Sequence, residues 1–276
     1  MQKIEFNVNE EKELTKAIID ELPFLSRFDV KKLIENKDIK VNNQRIKENI
    51  TLNKNDKVVV FYREKEQKDW FTLVYVDENI LIVNKQAGIE VISETERDLL
   101  SILKKDYAQI YSVHRIDRNT EGLVIFALNK HSEIELLESF KTRKGITKKY
   151  ALLVEGRVDI TKIKRTVYLK KVASLSKVWI SELKTTGYEP AVTEFDIIEY
   201  RGDKTLLEAN LITGKTHQIR AHVAYFGHPI VGDNKYAKSN EKKLHLTANF
   251  LSFKFDKKSK LNYLNSKSFE IIPSWI

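Results

Sequence analysis

The chain contains no cysteine in its 276 residues. Disulfides, thiolate metal sites and cysteine nucleophiles are thereby excluded, and the composition fits a reducing compartment. Four prolines and nine glycines are too few for a collagen-like or low-complexity chain. The opening residues, Met1-Gln-Lys-Ile-Glu-Phe6, lack a basic start followed by an apolar core, so no signal peptide is expected. No apolar run approaches the ~20 residues that cross a bilayer as a helix. Neither a Gly-x-Ser-x-Gly elbow nor a dinucleotide Gly-x-Gly-x-x-Gly occurs. The expectation is a cytoplasmic protein without a membrane partner.

What is abundant is positive charge. A net charge of +9 and a pI near 9.3 point to a polyanion such as RNA, DNA or an acidic surface. A general lysine bias would account for the charge equally well. A hydrophobic content of 42% marks a globular chain, long enough for one large or two ordinary domains.

Residues 1–62 read as a small α/β unit. Leu14, Ala17, Ile18 and Leu22 recur at helical spacing and stop before Pro23. Ser26 can cap a second helix carrying Val30, Leu33 and Ile34. Strand-like Ile39–Val41, an Asn42-Asn43 turn and Val58–Tyr62 follow. Arg27, Lys31, Lys32 and Arg45 place positive charge on and just after the second helix, where phosphates could be held with little sequence reading. The alternative is a basic module that binds nothing. Arg63 to Asp69 is charged and unpatterned, and reads as a linker.

The remainder, residues 70–276, carries the chemistry. Phe71–Val76 and Ile80–Asn84 read as strands around a turn, and Leu99, Leu100 and Leu103 as a helix. The stretch His114-Arg115-Ile116-Asp117-Arg118-Asn119-Thr120-Glu121-Gly122 then sets one carboxylate between two guanidiniums before the apolar run Leu123–Leu128. That run reads as a buried strand. Desolvation would raise the pKa of Asp117 and a nearby Arg would lower it. An ionised, poorly hydrated carboxylate is a candidate nucleophile or general base. A structural Asp–Arg pair is the plainer alternative.

Ile134, Leu137 and Phe140 share one helical face, and Lys141–Lys144 is a basic run. Lys148 to Val154 reads as a strand, in which Tyr150 offers a flat face and a hydroxyl suited to stacking on a base. A core-facing strand tyrosine is its alternative. Residues 157–189 are basic without a clear period. Thr193–Tyr200 and Thr205–Ile212 form a hairpin around Arg201-Gly202-Asp203.

Gly214-Lys-Thr invites a phosphate-loop reading, but that motif needs glycine where Ala209 stands. His217, His222 and His228 lie close in sequence, yet no acidic partner has a metalloprotease spacing, so no metal is expected.

Several of these stretches together resemble the RluA-type pseudouridine synthases. His114–Leu123 resembles His-Arg-Leu-Asp-x-x-Thr-Ser-Gly-Leu, departing at Ile116 and Glu121. Asn84-Lys-Gln-Ala-Gly88 resembles Asn-Lys-Pro-Ala-Gly, with Gln86 for proline. Lys148–Val154 resembles Lys-x-Tyr-x-Ala-x-Val, with Leu152 at the alanine position. Thr213–His222 resembles Thr-Gly-Arg-Thr-His-Gln-Ile-Arg-x-His, with Lys215 for arginine. Residues 22–58 resemble an S4 RNA-binding domain, with Asn43 and Asn55 where glycine is usual. The resemblance extends to the RluC and RluD type, which modify large-subunit ribosomal RNA and carry an S4 domain.

The resemblance implies an α+β fold, an S4-like domain followed by a catalytic domain with a large mixed, mainly antiparallel sheet. It implies an isomerase that turns uridine into pseudouridine in RNA, foremost 23S ribosomal RNA, with no metal, nucleotide or redox cofactor. Asp117 takes the catalytic position. Arg220 pairs with it, Arg115 enters the RNA in place of the extruded base, and Tyr150 stacks on that base. A monomer is expected. A tRNA-directed synthase and a non-catalytic ribosome-assembly factor are the other readings.

Overall fold

The computed structural model describes residues 2–22, 25, 27–62, 69–94, 97–142, 144–164, 166–172, 174 and 176–276. Ser26 with its expected cap, and the linker expected over 63–69 apart from Asp69, lie outside the described residues, as does Arg143 of the basic run. The chain divides into two compact units, 1–68 and 69–276.

In the first unit, β1 (Gln2–Asn7) and β2 (Lys12–Glu13) precede α1 (Leu14–Glu21) and α2 (Arg27–Glu35). Then come β3 (Ile39–Val41), β4 (Gln44–Arg45), β5 (Thr51–Leu52) and β6 (Lys57–Tyr62). A four-stranded antiparallel sheet runs β1-β6-β3-β4, and β2 pairs with β5. Leu14, Ala17, Ile18, Val30 and Ile34 share a buried core with Ile39, Val41, Val58 and Val60, as their spacing requires. Asn43 (φ 68°) and Asn55 (φ 73°) both adopt the left-handed conformation that asparagine tolerates in place of glycine. Strand β1 was not anticipated, because its apolar positions Ile4 and Phe6 form too short an alternation.

The second unit contains β7 (Phe71–Val76), β8 (Ile80–Lys85), α3 (Leu99–Leu103), β9 (Tyr111–Ser112), β10 (Glu121–Ala127), α4 (Lys130–Thr142) and β11 (Ile146–Glu155). It continues with α5 (Ile160–Ile163), β12 (Val167–Val172), β13 (Lys177–Ser181), β14 (Glu189–Ala191), β15 (Thr193–Arg201) and β16 (Lys204–Leu211). It ends with α6 (Gln218–Tyr225), β17 (Leu246–Phe253) and β18 (Ser268–Glu270).

Its main sheet runs β15-β16-β11-β17-β10-β8-β7, with β18 on β17 and β9 on β10. Only the β10–β17 pair is parallel. All seven residues of β10 are buried because both faces of the sheet are covered. Val124 and Phe126 join one apolar cluster with Leu81, Val83 and Leu246, while Leu123, Ile125 and Ala127 join another with Ile80, Ile82 and Leu251. A strand buried on both sides reads as a continuous apolar run rather than an alternation.

The unassigned stretch 157–189 holds α5 and most of a separate three-stranded sheet, β13-β12-β14. Its lysines alternate with apolar residues only over short lengths, which hid the period. Helix α4 forms as the spacing predicts, but its apolar stripe is not simply core. Ile134 is 60% exposed and Leu137 43% exposed, whereas Ser132 and Leu136 are buried. Leu137 and Phe140 instead line a cavity.

Candidate active site

That cavity, about 390 Å³, lies wholly within the second unit, and besides α4, Leu211 and Leu246 three segments line it. The loop 113–120 supplies Arg115, Asp117 and Thr120, strand β11 supplies Lys148 and Tyr150, and residues 214–220 supply Lys215, His217 and Arg220. Its size is that of a pocket for a small organic group. Arg115, Lys141, Lys148, Lys215 and Arg220 line it against Asp117, a balance that favours a polyanionic ligand.

Asp117 is presented by the turn entering β10. The register there is fixed by Gly122, which pairs with both Lys85 and Ala248. Its φ is +130°, and a Cβ at this position would stand 2.4 Å from the Ala248 carbonyl oxygen. Only glycine lets β17 approach so closely. From below, the fully buried Lys85 donates from Nζ to the carbonyls of Gln86 and Ile89 at 2.9 Å and of Arg118 at 3.2 Å. The lysine thus ties the turn after β8 to the residue following Asp117. Burial pushes its pKa from 10.5 down to about 7, against the pull of Asp117, Glu121 and Glu90.

Glu121, where the related motif has serine, is also buried. It accepts from the Ser274 amide and hydroxyl at 2.9 and 2.5 Å, from Thr247 Oγ1 at 2.9 Å, and pairs with Lys243 at 3.2 Å. Burial raises its pKa, but these donors outweigh that and hold it net below the usual carboxylate value.

His114 opens the loop as a neutral ring. Its Nε2 accepts the Ile125 amide at 3.0 Å, and burial followed by repulsion from Lys148 keeps its pKa well below 6.5. The ring also lies 4.6 Å from that of Phe140.

The segment before α6 is closed by one side chain. Gln218 accepts from Thr213 Oγ1 (2.8 Å) and the Lys215 amide (3.0 Å), and donates to the Val192 carbonyl (3.0 Å) and Thr193 Oγ1 (2.9 Å). Gly214-Lys-Thr is therefore a loop stitched to the sheet by glutamine. His217 caps the helix in the left-handed conformation, φ 52°, and Arg220 follows one turn later on the same side.

Arg220 Nη1 lies 3.4 Å from Asp117 Oδ2, and His217 Nε2 lies 3.7 Å from the same oxygen. The shorter bonds of Arg220 go elsewhere, from Nε and Nη2 to Asp233 at 2.8 and 2.7 Å. This planar, two-pronged pair is almost completely buried. Burial lowers the Arg220 pKa, but Asp233 and Asp117 more than reverse the effect, so the guanidinium stays charged. The fork leaves Nη1 to address Asp117.

The residues expected from sequence thus fall into two groups. Arg115, Asp117, Tyr150 and Arg220 all line the cavity. Arg27, Lys31 and Lys32 are exposed on α2 and Arg45 on β4 of the first unit, with the Arg45 guanidinium donating to the Lys37 carbonyl at 3.2 Å. His222 Nε2 donates to the Ile163 carbonyl (2.8 Å) and His228 Nδ1 to the Glu155 carbonyl (3.0 Å). Only His217 of those three histidines borders the cavity.

Three contributors were missed. Asp233 was given no role. His217 was read as a turn, core or RNA contact and given no part beside Asp117. Tyr236, whose hydroxyl is 2.9 Å from His217 Nδ1, gave no signal at all, since only the fold brings it to α6.

The sequence pattern of the family described as RNA pseudouridylate synthase matches residues 79–225, which include the Asp117 loop, Tyr150 and Arg220. A protein of Mycoplasma capricolum subsp. capricolum described as an uncharacterized RNA pseudouridine synthase is 34% identical over 273 residues, covering 89% of this chain and 88% of that one. The Escherichia coli K12 dual-specificity RNA pseudouridine synthase RluA is 35% identical over 183 residues, covering 62% of this chain and 79% of that one. Among solved structures, human RNA pseudouridylate synthase domain containing 1 superposes with a TM-score of 0.59 at 24% identity, covering 71% of this chain and 83% of that one. That last likeness is one of fold.

Proposed function

The chain belongs to the RNA pseudouridylate synthase family, of RluA type, and is an isomerase converting uridine to pseudouridine in RNA; from that premise we propose that Asp117 starts the reaction. The observation that carries this is one carboxylate in a cationic cavity, addressed by Arg220 Nη1 and His217 Nε2 through a single oxygen. The other oxygen, Oδ1, is left to face the ribose.

The target uridine flips into the cavity. Unstacking costs a few kcal/mol, offset by stacking on Tyr150 and by phosphate contacts. Arg115, exposed at the mouth, takes the place of the extruded base in the RNA. Asp117 then either attacks C1′ or removes the C2′ proton to give a glycal. The freed uracil turns and rejoins C1′ through C5. Arg220, fixed by Asp233, holds the carboxylate oriented. No metal, nucleotide or redox group has a part in this sequence.

The substrate proposed is large-subunit ribosomal RNA, bound as well by the first unit acting as an S4-like domain. Arg27, Lys31, Lys32 and Arg45 would meet phosphates there. Exposed Lys170 and Trp179, directly opposite each other on β12 and β13, offer a further surface for RNA. The reading is of a cytoplasmic monomer. Among the described residues no helix is long and apolar enough to cross a membrane.

Pseudouridine mapping by carbodiimide adduct and primer extension, on unmodified total RNA incubated with the protein, tests the substrate. New stops in large-subunit RNA are expected. Stops confined to tRNA would replace that substrate with the other.

A further inference from the structure

Tyr236 stands between the catalytic segment and the three-stranded sheet. The Val178 amide of β13 donates to its phenolic oxygen at 3.0 Å, and that oxygen is 2.9 Å from His217 Nδ1. The phenol has one proton to give. Among the described residues, the one acceptor within hydrogen-bond reach of it is His217 Nδ1. The two rings meet edge to face, with centroids 5.6 Å apart at 88°, which fixes the imidazole plane. A histidine that accepts at Nδ1 carries its proton at Nε2 when neutral. Nε2 is the atom 3.7 Å from Asp117 Oδ2.

We infer that Tyr236 is a positioning residue that sets the His217 tautomer, so that His217 acts as a neutral Nε2–H donor orienting Asp117 for the isomerisation. The inference rests on Asp117 being the catalytic carboxylate. It goes further by assigning a second donor and a line of contact from the β12–β14 sheet, through Val178 and Tyr236, to the reacting group.

Three observations support it. His217 occupies a left-handed position, φ 52°, which a residue with a side chain adopts at a cost and which clusters at functional sites. Neutrality is favoured by burial first, then by Arg220 and Lys235, against Asp117 and Asp233. Burial also pushes the Tyr236 pKa up to about 12, so the phenol keeps its proton. Arg220 and His217 together occupy Oδ2, which leaves Oδ1 for the ribose. Both contacts are long in the free protein, as such bonds often are before substrate tightens them.

The first test is spectroscopic. Nitrogen-15 NMR of the full chain labelled at histidine, with the His217 signals identified by their loss in His217→Gln, should show Nε2 protonated and Nδ1 bare. Protonation at Nδ1 would overturn the inference. In Tyr236→Phe the imidazole should populate both tautomers, and an unchanged tautomer would remove Tyr236 from the scheme.

The second test is kinetic, under single-turnover conditions with saturating enzyme. His217→Ala should lower the rate at least tenfold with RNA affinity unchanged, while His217→Gln, which retains an N–H donor near the ε position, should recover most of it. A rate within twofold of wild type, or a loss confined to affinity, would contradict the assignment. Asp117→Asn is measured in parallel. If it stays active the catalytic reading itself fails; if it is dead while His217→Ala is normal, only this inference falls.

Discussion

Asp233→Asn preserves shape and removes one charge from the most buried ion pair of the site. In the wild type, both prongs of Arg220 end on the Asp233 carboxylate at 2.7 and 2.8 Å, in a pair almost without solvent contact. Losing one partner of such a pair costs about 3–5 kcal/mol, because the remaining charge is buried uncompensated. Asparagine keeps one acceptor but turns an amide N–H toward the other prong, so a value of about 3 kcal/mol is expected. For a unit the size of residues 69–276, each kcal/mol shifts the melting temperature by roughly 2–4 °C. The drop should be about 6–12 °C. Arg220 would also lose its hold beside Asp117. A hydrogen bond to a charged group contributes about 1.5–3 kcal/mol, corresponding to a rate loss of roughly tenfold to 150-fold. Differential scanning calorimetry and single-turnover isomerisation, measured on the same preparation, check both figures. A variant melting within about 2 °C of wild type and retaining its rate would refute the claim that Asp233 anchors the arginine.

Other positions give separate outcomes. Gly122→Ala places a Cβ 2.4 Å from the Ala248 carbonyl at φ +130°, so β10 and β17 must part beside the Asp117 loop; a loss of at least about 3 kcal/mol in urea unfolding is expected, and a neutral result would contradict the packing. Lys85→Met leaves three carbonyls without their donor, costing about 3 kcal/mol. Because the folded pKa of Lys85 is about 7 rather than 10.5, the folded chain binds fewer protons between those values. Stability of the wild type relative to the Met variant should therefore rise with pH from 7 to 10, and a flat difference would show that Lys85 titrates normally. Glu121, held below its usual pKa mainly by Ser274 against the opposing effect of burial, stabilises the fold above the unfolded carboxylate pKa and loses that contribution on acidification. Glu121→Gln should flatten the acid limb of the stability profile below pH ~4.5, as read by urea midpoints.

Much of this architecture was legible because local pattern and global burial agree. The apolar run Leu123–Leu128 read as a buried strand, as β10 is, and the helical spacing of α1 and α2 matched their buried sides. Asp117, Arg115, Tyr150 and Arg220 were chosen from three separated stretches, and all border one cavity. What stayed hidden depends on contacts between distant residues. Asp233, rather than Asp117, is the closer partner of Arg220, because the β-turn at Gly232 delivers its carboxylate to the guanidinium fork. Tyr236 is placed by the amide of Val178, within a stretch whose strands could not be read. A structural part for Lys85 was within reach of the sequence, but nothing in its neighbours announces that it is fully buried and bonded to three carbonyls. The stripe Ile134–Leu137–Phe140 had the period of a core face, yet part of it faces solvent and part faces the cavity.

The most direct test of Asp117 as the initiating group compares wild type with Asp117→Asn on one uridine-containing RNA. Isomerisation is followed by carbodiimide mapping and binding by filter retention at fixed salt. The account predicts no detectable pseudouridine from the Asn protein with RNA affinity unchanged. Pseudouridine formed at the wild-type rate by Asp117→Asn would contradict it.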